Sequence, residues 1–198
     1  MRTLHAILLA LLASLAFAGA AQARGGDYVF DGGSARQQAE VRVALEASNF
    51  DWSVVPHRIV IHLREGSGTY AKPGAIWIDT DLLTAGTFAW GPIQHEYAHE
   101  VDFFLLNDAL RARLDRLLGA RTWAAAGPLG FHRSGHAALG AERFASTLTW
   151  AYWQVPQNSL KPSGAADEAA AMDPVRFRQL LSQLLAAGSP QPPVVTVG

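Results

Sequence analysis

The chain has 198 residues, 16 basic and 17 acidic side chains, and no cysteine. This excludes a disulfide framework and a thiolate metal site, and the near-neutral charge gives none of the basic surface that nucleic-acid binders use. With residues 1–23 set aside, 15 basic side chains (16 less Arg2) face 17 acidic ones, a net charge of −2 on a length that suits one domain with a sizeable core.

Arg2 and His5 precede an apolar run over residues 6–18, interrupted by Ser14, and Ala21-Gln22-Ala23 then offers small residues where a signal peptidase cuts. The run is short of the about 20 residues that span a bilayer. Residues 1–23 are therefore expected to be a signal peptide, with a retained anchor as the alternative. The expected mature chain starts near Arg24, is exported to the periplasm or secreted, and keeps no stable membrane insertion.

Residues 24–188 are expected to form a single domain. Gly25-Gly26 and Gly32-Gly33 bracket an apolar patch at residues 28–30. Ser34 can cap a helix to about Asn49, with Ala39, Val43, Ala44 and Ala47 near helical spacing. Residues 57–63 are rich in β-branched side chains and predict a strand, residues 65–74 are broken by glycines and Pro73 and predict a loop, and residues 75–79 predict a second strand. Thr80 or Asp81 can cap a short turn over Leu82 and Leu83.

Pro92 suits the first turn of a helix surrounded by Ile93, Tyr97, Ala98, Val101, Phe104 and Leu105, and a helix apolar all round is normally buried. Further helices are predicted over residues 107–118, 141–153 and, opened by Asp173-Pro174, to about Ala187, with a Gly- and His-rich loop at 127–140. Residues 189–198 hold three prolines and predict a flexible tail. The expected fold is α+β, a small twisted sheet from the first half packed on a helical second half.

The buried helix carries His95-Glu96-Tyr97-Ala98-His99. Histidines four apart share a helix face and can bind one metal ion, and the adjacent glutamate is offset to where it can deprotonate a water polarised by that ion. Two histidines and two acids in a buried helix are costly unless something pairs with them, and a cation answers that need. In a chain with seven His and seven Glu the pattern arises by accident roughly once in a hundred cases, so an ordinary helix without metal stands as a rival reading.

A zinc site needs a third protein ligand. Asp102 shares the helical face but lies about two turns from His95, so it is better placed to orient a ligand imidazole or to pair with a neighbouring helix, with a surface aspartate as the plain alternative. Glu142 is the better ligand: it opens the 141–153 helix, and Ala145 and Ser146 one turn on are small enough for close approach to the motif helix. A first-turn glutamate that complements the helix dipole is the competing reading.

With His95-Glu96-Tyr97-Ala98-His99-Glu100-Val101-Asp102 succeeded by Glu142-Arg143-Phe144-Ala145, the chain resembles the gluzincin zinc metallopeptidases, and among them the lethal-factor-like group. Tyr152 and residues 158–162 are similar to the segment downstream of the third-ligand helix in such families, and the likeness covers about residues 75–162. The resemblance implies a zincin-like fold, a Zn²⁺ cofactor held by His95, His99 and Glu142, Glu96 as general base, and a peptide or protein substrate. Relatives often carry a tyrosine before the third-ligand helix that stabilises the oxyanion. This chain has no tyrosine between Tyr97 and Tyr152 and has His132 and His136 in that loop, of which His136 is nearer the helix and the favoured substitute. A solvent-facing loop histidine is the alternative for each, and His57 and His62 beside a strand are taken as structural.

The leading functional expectation is an exported zinc metallopeptidase, with the strand at 75–79 holding an extended substrate if it lies on the sheet edge. The alternative is a zinc-stabilised, non-catalytic binding or scaffold protein. A closed four-ligand site, with His132 or His136 recruited, marks the scaffold, and an open position marks the enzyme.

Overall fold

A computed structural model describes residues 25–124, 135–164 and 167–188. The segment expected to be a signal peptide, His132 and the proline-rich tail lie outside the described residues.

The elements in chain order are β1 (Tyr28–Gly32), α1 (Ala35–Glu46), β2 (Ile59–Arg64), β3 (Tyr70–Lys72), β4 (Ala75–Asp79), α2 (Trp90–Leu105), α3 (Asp108–Leu118), α4 (Gly140–Tyr152) and α5 (Pro174–Gly188). The chain is therefore mixed α+β, with a four-stranded sheet in the order β1-β2-β4-β3. β1, β2 and β4 run parallel, and β3 pairs antiparallel to β4. Parallel neighbours need a crossover, and α1 supplies the one between β1 and β2.

Two expectations about the sheet need correction. The 65–74 segment is not loop throughout, because it contains β3; a three-residue strand ending at Pro73-Gly74 is too short to show a period. The 75–79 strand is not at the edge. Among the described residues β1 and β3 are the edge strands, and β4 lies between β2 and β3. The apolar patch at residues 28–30 also proves to be a strand, paired along its length with β2.

Alternation along β2 and β4 buries Ile59, Ile61, Leu63, Ile76 and Ile78, each 2 % exposed or less, toward the helices. The opposite face carries an in-register row of Asp31, His62, Trp77 and Tyr70. Here the Trp77 ring stacks on His62 at 4.6 Å and on Tyr70 at 4.8 Å, and His62 Nδ1 lies 2.7 Å from Asp31. His57 packs on Phe104 with ring centroids 4.3 Å apart. Both histidines thus serve the scaffold.

α1 begins with a capping box, in which Ser34 Oγ accepts from the Gln37 N–H and Gln37 Oε1 accepts from the Ser34 N–H. Its Val41, Ala44 and Leu45 are buried in the core with Trp52, whose indole N–H donates to the Leu45 carbonyl at 3.0 Å. α2 packs on one side against β3, β4 and α1 and on the other against α4, so the motif helix is sandwiched between the sheet and the helix bearing Glu142. Among the described residues no helix is long and apolar enough to cross a membrane.

Candidate metal centre

Every residue of α2 from Ile93 to Asp102 is buried, including six polar or charged ones. Three of the six are engaged by the surrounding scaffold. Gln94 Nε2 donates to the Ala44 carbonyl at 2.7 Å, and Glu100 Oε2 accepts from the Gly74 N–H at 2.9 Å. Asp102 accepts from Arg111 Nε at 2.8 Å and from Trp123 Nε1 at 2.9 Å. Of the roles open to Asp102, the structure selects pairing with a neighbouring helix, since α3 carries Arg111. His95, Glu96 and His99 remain, and they meet the face of α4.

Glu142, in the first turn of α4, reaches this face. Its Oε2 lies 3.1 Å from His95 Nε2 and 3.7 Å from His99 Nε2, and the two Nε2 atoms are 3.1 Å apart. Three groups with lone pairs have been brought together, and a tetrahedral zinc ion with bonds of about 2.05 Å requires ligand separations of about 3.3 Å. The observed separations scatter around that value, so the donor set and its spacing fit the ion. Glu96 is outside the trio. It lines, with His99, a cavity of about 260 Å³ whose other walls include Thr69, Tyr70 and Ala71 of the edge hairpin, and Phe103 and Trp123.

Small residues allow the approach of the two helices. Ala98 on α2 and Ala145 on α4 are fully buried, and Ser146 stands beside them. The sequence suggested Ser146 only as a small side chain. In the structure its Oγ lies 3.1 Å from His95 Nδ1 and donates to Glu168 Oε2 at 2.9 Å. A hydroxyl that donates to a carboxylate accepts from the imidazole, so Nδ1 of His95 carries the proton and Nε2 presents a lone pair to the trio.

His136 also arrives at the site. Its Nδ1 lies 3.1 Å from Glu142 Oε2 and 3.4 Å from Glu168 Oε1. His136, Glu142 and Glu168 form a second cluster that shares only Glu142 with the first.

Electrostatics derive from burial and these contacts. Burial pushes the Glu96 carboxyl above its ordinary value, against the opposing pull of His95 and His99. Burial acts to raise Glu142 as well, but its close contacts with His136, His95 and His99 outweigh it and hold this carboxylate far below the usual range. Burial acts to lower His99, and its hydrogen bond to Glu142 with the charges of Glu142, Glu96 and Asp102 reverses the sign. His136 is pushed up to about 10 by hydrogen bonds to Glu142 and then Glu168.

Sequence reasoning named His95, Glu96, His99, Glu142 and His136, and the structure gathers all five. It missed Glu168, which no spacing rule connects to the motif because only the tertiary fold returns it to α4. No protein-family model, curated protein or solved structure matches the chain.

Proposed function

We propose that the protein is an exported zinc metallopeptidase of zincin-like architecture, hydrolysing peptide bonds with Glu96 as general base. The observation that carries this reading is the convergence of His95, His99 and Glu142 from two helices at tetrahedral spacing, with a second acid, Glu96, left beside them on the cleft.

His95 Nε2, His99 Nε2 and Glu142 Oε2 would hold the ion, which when bound supplies Lewis acidity toward a scissile carbonyl and toward water. Burial raises the proton affinity of Glu96, which suits a carboxylate that takes a proton from the attacking water and delivers it to the leaving amine nitrogen. His136 lines the same cavity, and its ring can donate to the oxygen on which negative charge develops.

β3 is the element suited to holding substrate. In a two-residue hairpin the closing pair, Lys72 and Ala75, exchanges hydrogen bonds across the strands, so the N–H and C=O of Ala71 point away from β4. Ala71 lines the cavity beside Glu96, so an extended peptide can pair with it there.

A non-catalytic scaffold is less well supported. It calls for a fourth protein ligand closing the coordination shell. His136 instead clusters with Glu142 and Glu168, and three protein groups meet at the imidazole pair among the described residues. The test is metal analysis of the purified protein together with a peptide-substrate screen, with and without chelator, on wild type and Glu96→Gln. Stoichiometric zinc with chelator-sensitive cleavage that Glu96→Gln abolishes is expected. Absence of zinc, or cleavage indifferent to chelator, overturns the reading.

A further inference from the structure

Glu168 touches both arms of the site without belonging to the metal trio. It opens a short 3-10 turn, Glu168–Ala170, whose Ala169 is buried. Thr147 Oγ1 donates to its backbone carbonyl at 3.3 Å, and the preceding Ser146 donates to its Oε2 at 2.9 Å. Consecutive residues of α4 thereby fix this glutamate by main chain and by side chain.

From Oε2 a hydrogen-bonded series runs through Ser146 Oγ to His95 Nδ1, and ends at the Nε2 that faces His99 and Glu142. From Oε1 a second contact runs to His136 Nδ1 at 3.4 Å. A serine hydroxyl alone can rotate and present either a proton or a lone pair to an imidazole. A carboxylate accepts only, so Glu168 removes that choice: the serine proton points to the acid and the lone pair to His95.

We propose that Glu168 is the positioning residue of this site: through Ser146 it fixes the tautomer and ring orientation of His95, and through its other oxygen it holds His136 beside Glu142. The inference rests on the zinc-hydrolase reading. The competing assignment makes His136, Glu142 and Glu168 a second cation site. The geometry favours the positioning role because Glu168 Oε2 is already committed to Ser146 and the remaining cluster would share Glu142 with the first ion.

The test uses the full-length chain as wild type, Ser146→Ala, Glu168→Ala, Glu168→Gln and the Ser146→Ala/Glu168→Ala double variant. Zinc affinity is read by competition with a chromophoric chelator, and kcat and KM are read on the loaded enzymes. Outer partners of metal ligands typically contribute about 10- to 100-fold in affinity, so each alanine variant should weaken zinc by about that factor. The double variant should be no weaker than Glu168→Ala, because the two residues act in series. kcat should fall further in Glu168→Ala than in Ser146→Ala, since only the former removes a carboxylate contact that orients His136. If Glu168→Ala does not fold, Glu168→Gln decides: its amide keeps an acceptor for Ser146 but turns an N–H toward His136, so zinc affinity should stay within about threefold of wild type while kcat drops by about tenfold or more.

Wild type binding one zinc with affinity unchanged in Glu168→Ala overturns the proposal, as do multiplicative losses in the double variant. Two zinc ions in wild type and one in Glu168→Ala overturn it in favour of a second cation site. A wild type that binds no zinc sinks the metal reading itself, an outcome distinct from the other three.

Discussion

Replacement of Glu96 by glutamine keeps shape and removes one negative charge at a position 8 % exposed, between the imidazole pair and the cleft. Because Glu96 is outside the trio that spans His95, His99 and Glu142, the variant should still bind one zinc ion. General-base catalysis contributes about 10²- to 10⁴-fold, so kcat should fall by that range, roughly 3–5 kcal/mol of transition-state free energy. Stability adds an independent check. Burial raises the native pKa of Glu96, so the native state binds more protons than the unfolded state between the two values. The resulting penalty on the metal-free wild type is absent below the carboxyl's ordinary value of 4.5 and full once pH exceeds the native value. Metal-free Glu96→Gln should therefore unfold at higher denaturant than metal-free wild type at pH 8, and the gap should close as pH falls toward 4.5. A gap that is constant with pH, or a variant with wild-type turnover, refutes the assignment of Glu96 as a buried, strained base.

The same geometry bears on metal removal, substrate pairing and core stability. Chelation should lower the melting temperature: at free zinc a hundredfold above its dissociation constant, the folded state gains about 2.7 kcal/mol, which is roughly 5–11 °C for a domain of this size. Calorimetry with and without chelator measures it, and coincident transitions argue against a bound ion. Ala71→Pro removes an N–H that points away from β4, a position where an edge strand tolerates proline. Steady-state kinetics should show KM raised about 2- to 10-fold, the worth of one hydrogen bond, with zinc affinity unchanged; an unaltered KM rules out pairing at Ala71. Tyr97 within the motif has a fully buried hydroxyl with no hydrogen-bond partner among the described residues, and burial pushes its pKa well up. Tyr97→Phe keeps the ring packed on Trp52 at 5.2 Å and should stabilise the protein by about 1 kcal/mol, read by urea denaturation. A destabilised variant means that the hydroxyl is satisfied after all.

The long periodic elements were legible because burial and period agree in them. α2 declared itself by apolar residues on every side with histidines at helical spacing, and Ser34 marked the start of α1 through its capping chemistry. The approach of Glu142 to the imidazole pair was legible because Ala145 and Ser146 are small enough to let its helix come close to α2. β3 escaped because three residues define no period and its neighbours Pro73 and Gly74 signal only a turn. With β3 unseen, an edge position for β4 stayed open as a condition for substrate pairing. Glu168 escaped for a different reason: its role depends on two partners, Ser146 and His136, that are remote from it along the chain.

α2 holds two imidazoles, the Glu96 carboxylate and, through Glu100, the turn of the hairpin that carries Ala71. Glu96 and both imidazoles are therefore mounted on a single rod, and their mutual spacing survives any drift of the rod within the fold. What can slip is the contribution from α4, which reaches across an interface. An error of an ångström at the α2–α4 seam misplaces Glu142 and Ser146 together while leaving Glu96 and the imidazole pair in register with one another.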